Sequence, residues 1–202
     1  TETAARWLDD GVTPNGEAGR AFGTKGVHGF DLMFAAPKSV SLLRSLTDDV
    51  AEKVMQNAHV TAVEAAMTYL HEHAGYTRVH NRVTGMKDLQ RLPGLVAIAY
   101  QHETSRCGDP HLHTHVAVSN KVQDETGRWL AVDGRVLYKA NVTLAEMYNT
   151  LIESELIARL GVRFENRRSG LDKGVDKRPV REIVGVDERL AKTWSKRHSA
   201  IE

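Results

Sequence analysis

QHETSRCGDPHLHTHVAV, residues Gln101 to Val118, holds four of the chain's ten histidines within fourteen residues. His111, His113 and His115 alternate with Leu112, Thr114 and Val116. Alternation at period two is a strand signal, so these histidines share one face. A row of imidazoles on one face of a strand points to a metal site. Geometry limits which of them share an ion. A strand rises about 3.3 Å per residue, which puts His111 and His115 roughly 13 Å apart at Cα. Two neighbours can ligate one ion, with a third ligand from elsewhere. The run Leu95–Glu103, LVAIAYQHE, also reads as a strand, with Val96, Ile98, Tyr100 and His102 on one face. The loop TSRCGDP returns the chain as a hairpin. If paired residue numbers sum to about 215, His102 lies opposite His113 and His115 sits on the diagonal. A slip of one residue breaks that triangle. All-imidazole sites suit Zn, Mn, Ni, Co or Cu better than Ca.

The 202 residues suffice for one substantial domain. Hydrophobic content of 41% and charged content of 26% are ordinary for a globular protein. No run is long enough to span a membrane, and no signal peptide is visible. The single cysteine, Cys107, excludes an intrachain disulfide framework and fits a reducing, cytoplasmic compartment. As a lone loop thiol it reads as incidental rather than nucleophilic. A net charge of +1 does not announce nucleic acid. Charge is uneven, though: Arg159 to Arg181 holds eight Arg or Lys against three acids, a local basic strip. The chain starts at Thr1 without methionine and reads as a piece of something longer.

Residues 1–28 are glycine-rich without clear period and read as an irregular connection; residues 29–202 read as the core domain. Gly29–Ala35, GFDLMFA, alternates, with Phe30, Leu32 and Phe34 on one face and Asp31 on the less apolar one. Pro37 breaks that strand and opens a helix through KSVSLLRSL. Asp48–Glu72 is the strongest helix pattern, with Asp49 and Glu52 as cap and capping-box partner and Gly75 as stop. His59, His71 and His73 on or near it read as surface histidines. Val116–Gln123 leads through a DETG turn into Arg128–Val132, a further hairpin. Val142–Leu160 is a second amphipathic helix closed by Gly161. VRFEN reads as an edge strand and Val186–Ile201 as a last helix anchored by Trp194. Strands with helices to one side predict an α+β fold with an antiparallel sheet.

Two motifs, GFDLMFAAPKSVSLL and HETSRCGDPHLHTHV, resemble the relaxase domain of the MobF conjugative relaxases, the TrwC/TraI-like family within the HUH endonuclease group. WLAVDG, AEMYNTLIESEL, LGVRFE and the terminal WSKRHSAIE extend the resemblance over Gly29–Glu202. It implies about five antiparallel strands in the intact domain, with flanking helices. It implies a divalent metal, Mn, Mg or Zn, on His102, His113 and His115, and demotes His111. It assigns Asp31 to positioning a metal histidine or acting as base. The implied reaction is metal-dependent nicking of one strand at a transfer origin by tyrosine transesterification. The ion would grip the scissile phosphate and neutralise developing charge.

The nucleophile is where the pattern departs. The family places its tyrosines near the extreme N-terminus. Tyr69, Tyr76, Tyr100, Tyr138 and Tyr148 have no such context, so the nucleophilic tyrosine is expected to be absent from this chain. The isolated chain is then expected to bind metal and DNA without forming the covalent adduct. Lys38, Arg44 and Arg106 flank the expected site and are candidates for phosphate contacts. The implied partner is single-stranded origin DNA, held by backbone charge and base stacking, with accessory relaxosome and coupling proteins, and the chain is expected to be a monomer. An origin-binding module without cleavage is the alternative, and a metal hydrolase with an activated water is a third reading. No GxxxxGK[ST] motif is present, so no helicase activity is read into these residues.

Overall fold

In the computed structural model of the chain, residues 2–13, 15–17, 23, 26–167 and 179–196 are described. The chain is α+β. In order the elements are α1 (Glu2–Ala5), continued by a π-helical turn over Arg6–Asp10, β1 (Gly29–Ala35), α2 (Lys38–Leu46), α3 (Asp49–Ala74), β2 (Tyr76–His80), β3 (Lys87–Arg91), β4 (Ala97–Thr104), β5 (Pro110–Ser119), β6 (Val122–Gln123), β7 (Trp129–Leu130), α4 (Gly134–Leu160), β8 (Phe164–Asn166), β9 (Arg181–Ile183) and α5 (Glu188–Thr193). The main sheet runs β1-β5-β4, so the histidine strand is its centre, and β2-β3, β6-β7 and β8-β9 are separate pairs. No helix among the described residues is long and apolar enough to cross a membrane.

The chain divides into two compact units, Thr1–Met33 with Ala66–Tyr100 and His115–Ala145, and Phe34–Ala65 with Gln101–Thr114 and Glu146–Glu202. In the first, Ala66, Leu70 and Ala74 of α3, Val116 and Val118 of β5, and Leu137 and Leu144 of α4 are buried. In the second, the buried set includes Phe34, Val40, Leu42, Met55, Ala58, Ala62, Leu112, Ile152 and Leu156. These positions recur every three or four residues on the helices and every two on the strands, as amphipathic elements require. Ser39 at the start of α2 ties down β9: its N–H and hydroxyl donate to Glu182 at 2.8 and 2.5 Å, and its Oγ accepts from Ile183 N–H.

Several elements differ from the sequence pattern for identifiable reasons. α3 is capped by Asp48, whose carboxylate accepts from Val50 and Ala51 N–H at 3.1 and 2.9 Å, rather than by Asp49. α4 begins at Gly134, eight residues ahead of the apolar stripe. Asp133 caps it by accepting from Arg135 N–H at 2.9 Å. The pattern missed this turn because Tyr138, Lys139 and Val142 of its first turns face solvent. The Val116–Gln123 strand is split: β5 runs to Ser119, and Val122–Gln123 pairs with Trp129–Leu130. Part of the N-terminal connection is helical, over Glu2–Asp10, and it buries Trp7. The expected last helix is seen over Glu188–Thr193; its continuation through 197–201 lies outside the described residues.

Main chains approach closely at Gly29. A Cβ there would lie 2.8 Å from the Val118 carbonyl oxygen, a backbone atom that cannot swing aside. Gly29→Ala is therefore expected to cost about 1–3 kcal/mol, read as a lowered urea midpoint with an unchanged slope.

Candidate metal centre

β5 presents two faces. Leu112, Thr114, Val116 and Val118 are buried, and the odd-numbered residues His111, His113 and His115 point the other way. The TSRCGDP loop does return the chain. Ser105 N–H donates to Asp109 O at 2.8 Å, Gly108 N–H to Ser105 O at 2.9 Å, and Gly108 takes a left-handed φ of 77°. That is a type I turn closed by a glycine bulge. Just ahead of β4, Val96 O accepts from Ser119 N–H at 2.8 Å. The His102 and His113 rings lie 5.2 Å apart, tilted by 31°. On the other side of His113 the His111 ring stacks at 4.4 Å and 28°.

Two of the imidazoles have a fixed tautomer. His113 Nδ1 lies 2.8 Å from the His111 carbonyl, which only accepts, so Nδ1 carries the proton and Nε2 the lone pair. His115 Nδ1 meets both oxygens of Asp31 at 2.8 and 3.0 Å, with the same consequence. Asp31 keeps its carboxylate 61% exposed, so the contact adds little stability and serves to orient the imidazole. An imidazole whose Nδ1–H is held by a carbonyl or carboxylate is the usual form of a metal-ligating histidine. The donor type and tautomers thus fit a divalent transition ion. Among the described residues no three His, Cys, Asp or Glu side chains are gathered tightly enough to hold one as they stand.

The candidate cations divide by their partners. Lys38 Nζ donates to the Pro110 carbonyl at 2.9 Å and to that of Trp194. Desolvation lowers its pKa, against the opposing pull of Asp109 and Glu182. Arg44 is buried, and its guanidinium meets Glu52 and Glu103 at 2.7 Å each. Both charges are spent on the fold. Arg106 sits exposed on the loop beside Gly108. Of the basic strip, Arg159 pairs with Glu155, Arg167 with Glu182 and Arg181 with Glu153, while 168–178 lie outside the described residues.

Two features escaped the sequence pattern. His59 is buried, 0% exposed, rather than a surface residue. Its Nδ1 lies 2.6 Å from Tyr148 Oη and its Nε2 2.7 Å from Thr114 Oγ1. Burial, with His113 and Arg44 nearby, pushes its pKa down to about 4, and burial pushes that of Tyr148 up. The second is the β2-β3 hairpin, registered Tyr76↔Arg91 to His80↔Lys87. Every residue of β3 is exposed, as is Val83 at its tip, at 95%. Its signal was Asn81 followed by Gly85: the Asn81 side chain accepts from Val83 and Thr84 N–H, and Gly85 has φ 68°.

Known proteins resemble this chain in sequence and in fold. The multifunctional conjugation protein TraI of Escherichia coli is 35% identical over 137 residues, 65% of this chain and 7% of that protein. A conjugative relaxase TrwC in complex with oriT DNA, in a metal-free structure, superposes with TM-score 0.78 at 27% identity, covering 98% of this chain and 66% of that one. The metal-bound structure of the same complex gives TM-score 0.78 at 27% identity, over 98% and 65%. The chain thus spans a small part of TraI and about two thirds of the TrwC chain. The TrwC relaxase family profile matches residues 1–202, and the chain belongs to that family.

Proposed function

We propose that this chain is the metal- and DNA-handling core of a conjugative relaxase, which nicks one strand of transfer-origin DNA by tyrosine transesterification. The observation that supports it most is the pair of Nδ1 anchors, His111 carbonyl to His113 and Asp31 to His115, which leave both Nε2 atoms as donors. His102, His113 and His115 would hold a divalent ion, Mn, Mg or Zn. When bound, the ion supplies positive charge against the oxygens of the scissile phosphate. In the reaction a tyrosine oxygen forms the new bond to phosphorus as the bond to the 3′ oxygen breaks. The 5′ phosphate is left on tyrosine, and the departing 3′ oxygen takes a proton. Asp31 serves this site by holding His115 rather than by touching DNA. Asp31→Ala is accordingly expected to weaken Mn²⁺ affinity about 10–100-fold in calorimetry with the fold intact, and an unchanged affinity would sink the role.

Three of the five tyrosines are poorly placed to be the nucleophile of this site. Tyr148 is buried against His59, the Tyr69 ring packs on His73 at 4.2 Å, and Tyr138 stands 82% exposed on α4. We therefore assign the nucleophile to none of these three, and the family pattern gives Tyr76 and Tyr100 no such context either. Arg106 is the phosphate contact that Lys38 and Arg44 are too committed to provide. The β2-β3 hairpin, with Arg82, Lys87 and Arg91 exposed, supplies a second basic surface for the phosphate backbone. Single-stranded origin DNA is the partner, a monomer the working form and the cytoplasm its place, with accessory transfer proteins joining at the origin.

The test is a denaturing gel of labelled single-stranded origin DNA with Mn²⁺, run on this chain and on a version extended to the start of its parent protein. A covalent band only in the extended version supports a tyrosine relaxase with its nucleophile upstream of β1. DNA binding without a band in either favours an origin-recognition module that does not cleave. The expectation that the nucleophilic tyrosine is missing from this chain is what keeps that second reading in view.

A further inference from the structure

Tyr148 of α4, His59 of α3 and Thr114 of β5 form an unbroken hydrogen-bonded chain, with steps of 2.6 and 2.7 Å. All three are buried. His59 Nδ1 and Nε2 each have one partner, so a neutral imidazole, one donor and one acceptor, satisfies the chain completely. Stability alone does not call for it. Apolar side chains of the same shapes would fill the space with no polar group to desolvate. Its place in the fold suggests another use. Thr114 is the residue next to His113, and side chains alternate along a strand. The chain therefore grips β5 from behind, on the face opposite the imidazoles. His113 is also near enough to His59 to depress its protonation.

We propose that His59 is a positioning residue for the metal centre: through Thr114 it fixes the main chain that presents His113 and the His111 carbonyl that orients it. This rests on the ligand assignment above. Ligation tolerates displacements of only about 0.2 Å, so a strand that shifts slightly loses affinity without unfolding. A neutral group suits this position, because a lysine or a charged imidazole behind the site would repel the incoming cation.

The test uses Mn²⁺ calorimetry and the visible spectrum of bound Co²⁺, at a temperature where each variant is folded. His59→Leu keeps bulk and removes both bonds; His59→Gln keeps one donor and one acceptor. The expected result is Mn²⁺ affinity about tenfold weaker with an altered Co²⁺ spectrum for Leu, and recovery in Gln. A purely structural role would lower the melting temperature of both and leave affinity and spectrum unchanged, which overturns the proposal. If His59→Leu does not fold, Tyr148→Phe decides: binding weaker by about threefold or more supports the chain's role, and unchanged binding refutes it. Should the unaltered protein bind neither Mn²⁺ nor Co²⁺, the metal reading itself falls and the positioning role with it. That outcome is distinct from a protein that binds metal indifferently to residue 59.

Discussion

His113→Ala is expected to weaken Mn²⁺ or Zn²⁺ binding by more than about 100-fold, while His111→Ala changes it by about threefold or less. The contrast follows from how the two residues meet. His113 offers Nε2 because its Nδ1–H is bound to a carbonyl at 2.8 Å. That carbonyl belongs to the main chain of His111 and survives substitution by alanine. The His111 ring stacks on His113, at 4.4 Å, a contact of modest energy. Calorimetry on both variants, with the urea midpoint as a check on folding, separates these roles. Equal losses would make His111 a ligand and refute the set proposed; no loss at His113 would remove the metal centre from β5.

Stability is expected to fall by about 3 kcal/mol between pH 6.5 and pH 4 on account of His59 alone. In the folded chain its pKa is pushed down to about 4 from 6.5, mainly by burial. Between these values the unfolded chain binds a proton that the folded one refuses, so stability rises with pH across that window. The contribution is fully present above about pH 6.5 and is lost as the pH falls through about 4. Urea melts at pH 7, 5.5 and 4 read the loss. In His59→Gln, which has no titrating group there, the slope should be shallower by about this amount. A wild-type slope that survives the substitution would place the acid sensitivity elsewhere, among the carboxylates.

β1 and β5 were legible in the sequence because each turns one face inward. GFDLMFA alternates in β1, and its exposures alternate with it, so even the direction of Asp31 was readable. The histidine face of β5 was legible for the same reason. The β2-β3 hairpin was not, since β3 is exposed on both sides and carries no period. The first turns of α4 were hidden because Leu137 alone of them is buried, among exposed Arg135, Tyr138, Lys139 and Val142, with Asp133 starting the helix. His59 was misread as a surface residue because sequence shows its helix phase but not its partners. Tyr148 and Thr114 lie 89 and 55 residues away along the chain. The ligand set was suggested by spacing and narrowed by the family resemblance. The fixed tautomers of His113 and His115 depend on a carbonyl and a carboxylate whose positions only the fold supplies.

The β2-β3 hairpin is secured to the rest of its unit at its base, while at its tip Asn81 donates to Asp88 at 2.7 Å. Leu92 N–H donates to Gly75 O at 2.8 Å, Asp133 N–H donates to Tyr76 O at 2.6 Å, and Arg78 pairs with Asp133. Because β3 buries no side chain, opening the outer rungs exposes almost no new apolar surface. Local opening there is thus uncoupled from the cooperative melting of the helices, and its amide hydrogens should exchange with solvent deuterium long before those of α3 or α4. Such a ribbon reshapes itself cheaply around whatever it grips, and the cost of ordering it falls on binding rather than on folding.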